Sequence, residues 1–169
     1  MKYLLSVILY SMSFSQNISF YDKDGESFAD INLDNFIFNC RVAGVENEGE
    51  AVILLHGFPE TSRMWYKLIP VLANEGFKVI APDQRGYSQG ARPSKISDYT
   101  IDKLSKDIID IADAFQLEKF HLIGHDWGSA VGWYTVSINA DRVISWTALS
   151  VPHLDAFFES INTDKEQQR

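Results

Sequence analysis

The chain has 169 residues, enough for one hydrophobic core, and carries a formal net charge of −8. Such an acidic balance argues against a basic nucleic-acid-binding surface, so nucleic acid is not expected as a partner. The single cysteine, Cys40, excludes an intrachain disulfide. The sequence contains no glycine-rich phosphate loop and no Cys and His spacing typical of a metal site, so we expect no cofactor and no metal.

The first fifteen residues have the features of an export signal. Lys2 precedes an apolar stretch at residues 3–10, and the small residues Ser13 and Ser15 follow it. The stretch is too short to cross a bilayer as a helix, so we expect no stable membrane span. We expect residues 1–15 to be a signal peptide and the protein to be exported, to the periplasm or the medium. The alternative is an additional N-terminal strand or helix packed on the core.

The hydrophobic pattern alternates between strands and helices along the chain. A hairpin of two strands is predicted to turn at Asp34-Asn35, and Thr100 is predicted to cap a helix. The predicted strands cover residues 27–33, 37–42, 51–55, 78–81, 120–123 and 143–149, and the predicted helices cover residues 61–74 and 100–115. This alternation predicts an α/β fold with a doubly wound, mostly parallel sheet that has helices on both faces.

The segment Gly124-His125-Asp126-Trp127-Gly128 separates a predicted strand from a helix-like run that begins at Ser129. Small residues two before and two after a central residue suit a sharp strand-to-helix turn, where side chains would collide with the backbone. Asp126 lies at the centre and is ionised at neutral pH, so we predict a nucleophile that attacks an sp3 carbon and forms an alkyl ester. The alternative is that Asp126 only caps the helix, although a cap does not require both glycines. We expect His125 to pack beneath the turn.

A second motif, His56-Gly57-Phe58-Pro59, follows the predicted strand at residues 51–55. In a strand–turn–helix architecture this loop lies beside the nucleophile. We therefore predict that the backbone N–H groups of Phe58 and Trp127 form an oxyanion hole. The alternative is a simple turn with an apolar plug.

With residues 83–88 and 148–153, these motifs make the chain resemble α/β hydrolases of the epoxide hydrolase and haloalkane dehalogenase branch, over about residues 27–160. The resemblance implies that Asp126 is the nucleophile and that Phe58 and Trp127 supply the oxyanion-hole N–H groups. It implies an enzyme whose partners are a small apolar epoxide and water. A histidine paired with an acid would hydrolyse the ester, and tyrosines of a cap domain would protonate the opening ring. Asp83 and Arg85 are expected to be structural charges.

Residues 58 and 127 discriminate within this branch. Haloalkane dehalogenases usually have a carboxamide or carboxylate at the first position, whereas the Phe58 side chain cannot donate a hydrogen bond. Fluoroacetate-type dehalogenases usually have an arginine after the nucleophile, where this chain has Trp127. An epoxide hydrolase is therefore expected. The alternatives are a haloalkane dehalogenase and a hydrolase-fold protein that binds a small apolar ligand without turnover.

The chain departs from this branch at the catalytic histidine, which should lie after the cap and the last strands. None of the four histidines fits that place: His56, His121, His125 and His153. We therefore expect residues 16–155 to be the N-terminal part of a hydrolase core, truncated after about the sixth strand. Residues 156–169 are expected to begin the cap. Two further strands would complete the family core, and this fragment is expected to be inactive.

Overall fold

The computed structural model describes residues 17–163, and the expected signal peptide at residues 1–15 lies outside them. The described residues form seven strands, four α-helices and two short 3₁₀ helices. The strands are β1 (Ile18–Lys23), β2 (Glu26–Leu33), β3 (Phe36–Ala43), β4 (Ala51–Leu55), β5 (Lys78–Pro82), β6 (Phe120–His125) and β7 (Val143–Leu149). The α-helices are α1 (Leu68–Asn74), α2 (Ile101–Ala114), α3 (Trp127–Ile138) and α4 (Leu154–Thr163), and the 3₁₀ helices are Ser62–Trp65 and Ile96–Asp98.

All seven strands belong to one sheet, in the order β1-β2-β3-β5-β4-β6-β7. The pairs from β1 to β5 are antiparallel, and the pairs from β5 through β4 and β6 to β7 are parallel. Five of the seven strands, namely β2, β4, β5, β6 and β7, therefore run in the same direction. The predicted α/β class with a mostly parallel sheet is confirmed.

Strand β1 was not among the six strands that the sequence predicts. It pairs with β2 from Ile18 opposite Ile31 to Lys23 opposite Glu26. The connection is the two-residue turn Asp24-Gly25, in which both residues have positive φ, 53° and 80°. Turns of this kind match the twist of a hairpin and favour Asp-Gly. The sheet is therefore one strand wider on this side than expected.

The helices differ from the prediction in detail. The predicted helix at residues 61–74 is a 3₁₀ turn, Ser62–Trp65, followed by the separate helix α1. Thr100 takes the N-cap position of α2 but makes no capping hydrogen bond with its side chain. Its hydroxyl instead bonds the Asp102 carboxylate and lowers the pKa of that group. No helix within residues 17–163 is both long and apolar enough to cross a bilayer.

Strand β4 lies inside the sheet, and all five of its residues are buried. Ile53 and Leu55 belong to the core that contains residues of α2 and α3, whereas Val52 and Leu54 belong to the core that contains Ile69 of α1. A strand that is buried on both faces needs apolar residues at every position, which explains why β4 has a continuous apolar sequence. The sheet thus has helices on both faces. The carboxyl ends of β4, β5 and β6 meet at one edge, where the predicted site lies.

Candidate active site

Asp126 stands between the end of β6 and the start of α3 with φ 53° and ψ −120°. A non-glycine residue in so sparsely populated a region costs about 1–3 kcal/mol, which the surrounding structure must offset. The two glycines allow the turn to be this tight. A Cβ atom on Gly128 would collide with the carbonyl oxygens of Leu55 and His56, and one on Gly124 would lie 2.5 Å from the Gly128 carbonyl oxygen. The strand–turn–helix predicted from the glycine spacing is present.

The carboxylate of Asp126 meets the loop that follows β4. The backbone N–H of Phe58 donates to Oδ1 of Asp126 at 2.8 Å. Hydrogen bonds from the Phe58 N–H and then from the Trp127 N–H hold the pKa of Asp126 below its ordinary value, and the nearby His125 contributes in the same direction. The structure therefore brings the three predicted site residues together around an anionic carboxylate.

His56 holds the Phe58 loop in place. Its side chain is fully buried, and its Nε2 accepts a hydrogen bond from the backbone N–H of Gln84 at 3.0 Å. Its Nδ1 lies 3.0 Å from the Gly57 carbonyl oxygen, which can only accept, so Nδ1 carries the proton. The side-chain amide of Gln84 donates a hydrogen bond to the His56 carbonyl oxygen at 2.5 Å. Burial lowers the pKa of His56, so the ring is neutral and has no nitrogen free to act as a base.

A cavity of about 250 Å³ lies beside the turn. Its walls are mostly aromatic and aliphatic, which suits a small apolar ligand. Phe58 and Trp127 are 68% and 62% exposed, so two large apolar side chains flank the Asp126 carboxylate at the protein surface. The cavity is lined by Phe58, Arg85, Tyr87, Tyr99, Leu104 and Trp127, among others.

The charges in the loop after β5 have structural partners, as expected. Oδ1 of Asp83 accepts a hydrogen bond from the backbone N–H of Ser62 at 2.7 Å. Arg85 forms a bidentate pair with Asp107 of α2, at 2.8 and 2.6 Å, and its guanidinium group lies 4.5 Å from the centre of the Phe36 ring. The loop that forms one wall of the cavity is therefore tied to α2.

Within residues 17–163, none of the four histidines combines a place beside Asp126 with an acidic partner. His121 lies near the start of β6, at the far end from Asp126, and bonds Ser145 Oγ at 2.7 Å and Glu50 Oε2 at 2.9 Å. The His153 ring packs edge-on against Trp133. His125 is half-buried, and its Nδ1 has no hydrogen-bond partner among residues 17–163. In the same part of the chain, no three His, Cys, Asp or Glu side chains are grouped to hold a metal ion.

Sequence reasoning did not single out two polar residues that hold the site. Gln84 anchors the Phe58 loop through His56, and Ser129 bonds the backbone on both sides of the turn. Both positions carried a signal, because Gln84 follows a buried strand closely and Ser129 follows the second glycine of the motif directly.

Comparisons with known proteins agree with this geometry. The family model described as the alpha/beta hydrolase fold matches residues 50–168. The AB hydrolase superfamily protein YfhM of Bacillus subtilis is 40% identical over 130 residues, which cover 77% of this chain and 45% of that protein. Epoxide hydrolase A of Mycobacterium tuberculosis is 47% identical over 103 residues, which cover 61% of this chain and 32% of that protein.

Solved structures give the same result. An epoxide hydrolase of Vigna radiata superposes with a TM-score of 0.70 at 31% identity, covering 82% of this chain and 41% of that chain. Epoxide Hydrolase A of Mycobacterium thermoresistibile gives a TM-score of 0.71 at 35% identity, covering 82% of this chain and 46% of that chain. The chain thus spans less than half the length of each of these four relatives. It belongs to the α/β hydrolase family, in the epoxide hydrolase-like branch.

Proposed function

We propose that the complete protein hydrolyses small apolar epoxides through a covalent ester on Asp126. The observation that carries this proposal is the 2.8 Å hydrogen bond between the Phe58 N–H and Asp126 Oδ1 at a strained strand-to-helix turn. The names of the relatives agree with it, since several are called epoxide hydrolases.

The first chemical step uses the free oxygen of the carboxylate. Because Oδ1 accepts the Phe58 N–H, Oδ2 attacks the less hindered epoxide carbon. A carbon–oxygen bond of the ring breaks as the ester bond forms. The ring oxygen takes a proton from an acid of the cap in the complete protein, and from solvent water in the 169-residue chain assayed alone. Oδ1 becomes the carbonyl oxygen of the ester and remains within reach of the N–H groups of Phe58 and Trp127.

The second step places negative charge on the same oxygen. When an activated water molecule attacks the ester carbonyl, Oδ1 becomes the oxyanion of the tetrahedral intermediate. The N–H groups of Phe58 and Trp127 would then stabilise it, and each such donor typically lowers the barrier by about 3 kcal/mol. Collapse of the intermediate releases a diol and restores the Asp126 carboxylate.

The capping alternative receives less support from the contacts. Asp126 occupies the N-cap position of α3, but its side chain makes no capping hydrogen bond there. The carboxylate instead bonds Phe58, which lies 68 positions away in the sequence. A haloalkane is also a less suitable substrate, because the exposed Phe58 side chain offers no donor to a departing halide.

We further propose that the 169-residue chain, assayed alone, stops at the ester. The second step requires a base held by an acid. Within residues 17–163, the histidine that bonds a carboxylate is His121, near the opposite end of β6 from Asp126. The expected product is therefore one alkyl adduct per chain.

The experiment follows adduct formation on the purified chain with styrene oxide. Intact-mass measurement should show an increase by one epoxide, and peptide mapping should place it on Asp126. Asp126→Ala should remove the adduct, whereas Asp102→Ala, which alters an exposed carboxylate of α2, should retain it. An adduct that persists in Asp126→Ala would refute the nucleophile. Diol accumulating beyond one equivalent would show that a base lies within the chain.

A further inference from the structure

The strained backbone of Asp126 needs support from its surroundings. Residues with such dihedral angles persist only where neighbouring contacts over-determine them. Three backbone hydrogen bonds involve Asp126 directly. Its N–H donates to the Leu149 carbonyl oxygen at 3.1 Å, and its own carbonyl oxygen accepts the N–H groups of Ser129 and Ala130 at 2.8 and 3.1 Å. Leu149 ends β7, so the turn is held by the neighbouring strand as well as by its own helix.

The hydroxyl group of Ser129 adds a second connection between the same segments. Ser129 is fully buried, and its Oγ lies 2.6 Å from the Gly124 carbonyl oxygen, to which it donates. The same Oγ accepts the Leu149 N–H at 3.2 Å and lies 2.9 Å from the Leu149 carbonyl oxygen. One hydroxyl therefore joins the strand before the turn, the helix after it and the end of the adjacent strand.

Together these contacts close a ring around Asp126. Leu149 accepts from the Asp126 N–H and donates to Ser129 Oγ, while Ser129 also reaches back to Gly124. Removing the hydroxyl would leave the buried Gly124 carbonyl and the partly buried Leu149 N–H without this partner, and unpaired polar groups that are shielded from water are costly. The turn would relax to recover hydrogen bonds, and relaxation would displace the Asp126 carboxylate.

We propose that Ser129 is a positioning residue for the nucleophile. Its hydroxyl fixes the Asp126 backbone so that the carboxylate meets the N–H groups of Phe58 and Trp127. The effect of Ser129 on the alkylation of Asp126 rests on the proposed function, whereas its effect on the position of the Asp126 carboxylate does not.

The test titrates the aspartate carboxyl carbons by ¹³C NMR in the 169-residue chain, with Asp126→Asn used to assign the Asp126 signal. In Ser129→Ala the pKa of Asp126 should rise by about 0.5–1 unit, because the carboxylate loses alignment with its backbone donors. Ser105→Ala is the matched control. Ser105 is equally buried and bonds Thr135 Oγ1 at 2.9 Å between α2 and the second half of α3, away from the turn at Asp126.

A general loss of stability should affect both variants, whereas the Asp126 titration should move only in Ser129→Ala. An unchanged Asp126 pKa in folded Ser129→Ala would overturn the proposal, and so would an equal shift in Ser105→Ala. If Ser129→Ala does not fold, Ser129→Cys replaces it, because a thiol fills the site with a weaker hydrogen bond. We then expect a smaller rise in the pKa of Asp126 than in Ser129→Ala, and an unchanged Asp126 pKa in Ser129→Cys would overturn the proposal.

The rate of Asp126 alkylation by styrene oxide provides the second measurement. We expect Ser129→Ala to be alkylated about ten-fold more slowly or worse, because small misplacements of reacting groups are costly. An unchanged alkylation rate would contradict the positioning role. If the unmodified chain is not alkylated although the Asp126 titration shifts in Ser129→Ala, the proposed function fails and the positioning of the carboxylate stands.

Discussion

Two main-chain donors do most to lower the pKa of Asp126, and the nearby His125 contributes less. The Phe58 and Trp127 N–H groups remain after most substitutions at those positions, since only proline lacks a backbone N–H. The two side chains are therefore free to shape the cavity, and both of them line it. This arrangement separates the chemistry of the site from its fit to a substrate.

The lowered pKa of Asp126 predicts reactivity at unusually acidic pH. A carboxyl group whose pKa is depressed in the folded state stays ionised at pH values where an ordinary carboxyl, with a pKa near 3.9, is half protonated. Alkylation of Asp126 should therefore lose half its rate only below about pH 3.9. The measurement is the adduct formation rate against pH, with tryptophan fluorescence confirming that the chain is folded. A midpoint at or above 3.9 would contradict the backbone hydrogen bonds as the source of its charge.

Motif spacing was sufficient to predict which three residues meet at the turn, but not what holds them. Asp126, Phe58 and Trp127 follow from the two glycine-containing motifs alone. The positions of Gln84 and Ser129 carried a signal, but their roles could not be assigned, because Gln84 bonds the ring and carbonyl oxygen of His56 in the loop after β4, and Ser129 bonds the backbone of β6 and β7. Those partners become known only when β4, β5, β6 and β7 are placed side by side.

At the scale of elements, the ion pair between Arg85 and Asp107 connects the loop after β5 to α2. The two side chains are only 9% and 7% exposed. Burial raises the pKa of the Asp107 carboxyl, so Arg85 is the group that favours its ionised form. The pair fixes a wall of the cavity, which Arg85 lines.

Removing one partner of this pair should be costly. Asp107→Ala would leave the Arg85 guanidinium buried without its counter-charge, and we expect a loss of about 3–5 kcal/mol in the free energy of unfolding. Asp110→Ala is the control, because it removes a more exposed pair with Lys106 and should cost about 0.5 kcal/mol or less. Urea unfolding followed by circular dichroism measures both.

The double variant Arg85→Met with Asp107→Leu separates the charge from the packing. It should recover most of the loss, since an apolar pair of similar volume avoids the desolvation of an unpaired ion. If Asp107→Ala costs no more than Asp110→Ala, the pair does not hold the loop to α2.

Most elements were predictable because their hydrophobic patterns are strong. The buried run of β4 and the helical spacing of α2 fixed their positions to within a residue. Strand β1 was missed although Asp24-Gly25 is a strong hairpin signal, because most residues of β1 are exposed and show no apolar alternation. The sequence does not distinguish the 3₁₀ turn at Ser62–Trp65 from an α-helix, since a single turn is too short to separate the two periods.

At the scale of the whole molecule, the two edges of the sheet differ. The edge at β1 exposes Phe20 and Tyr21 at 42% and 39%, but it also carries the charged Asp22 and Lys23, and charges on an edge strand oppose pairing with a second chain. The edge at β7 has a neighbour on one side only within residues 17–163, and it exposes Ile144 and Leu149 at 41% and 40%. An apolar edge strand with free main-chain groups is a template for pairing with another chain.

The isolated 169-residue chain should therefore self-associate through β7. Ile144→Lys should reduce this association, because a lysine on an edge strand opposes pairing with a second copy. Ile96→Lys is the matched control, since Ile96 is 91% exposed in a 3₁₀ helix, outside the sheet, and should leave association unchanged. Light scattering across a concentration series measures the effect. Equal association of both variants would exclude β7 as the contact.

The class of the fold followed from the sequence, whereas the order of its strands did not. Alternating strands and helices imply that neighbouring strands are parallel. The hydrophobic pattern within a strand does not indicate which other strand lies beside it in the sheet. The position of β5 between β3 and β4 reverses the chain order at that point. The order of the strands is determined only by the hydrogen bonds between backbone groups of neighbouring strands.

The distance in sequence between Phe58 and Asp126 has a consequence for how the molecule assembles. The strands β1, β2 and β3 are joined by two-residue turns, whereas the contact between Phe58 and Asp126 spans 68 positions. Closing the longer loop costs roughly 3 kcal/mol more in chain entropy than closing a two-residue one. We therefore expect the antiparallel hairpins to form early in refolding and the Phe58–Asp126 contact to form late. A short pulse of epoxide applied during refolding should label only molecules that have completed the sheet. The labelled fraction, plotted against refolding time, therefore measures the rate of the last stage of folding.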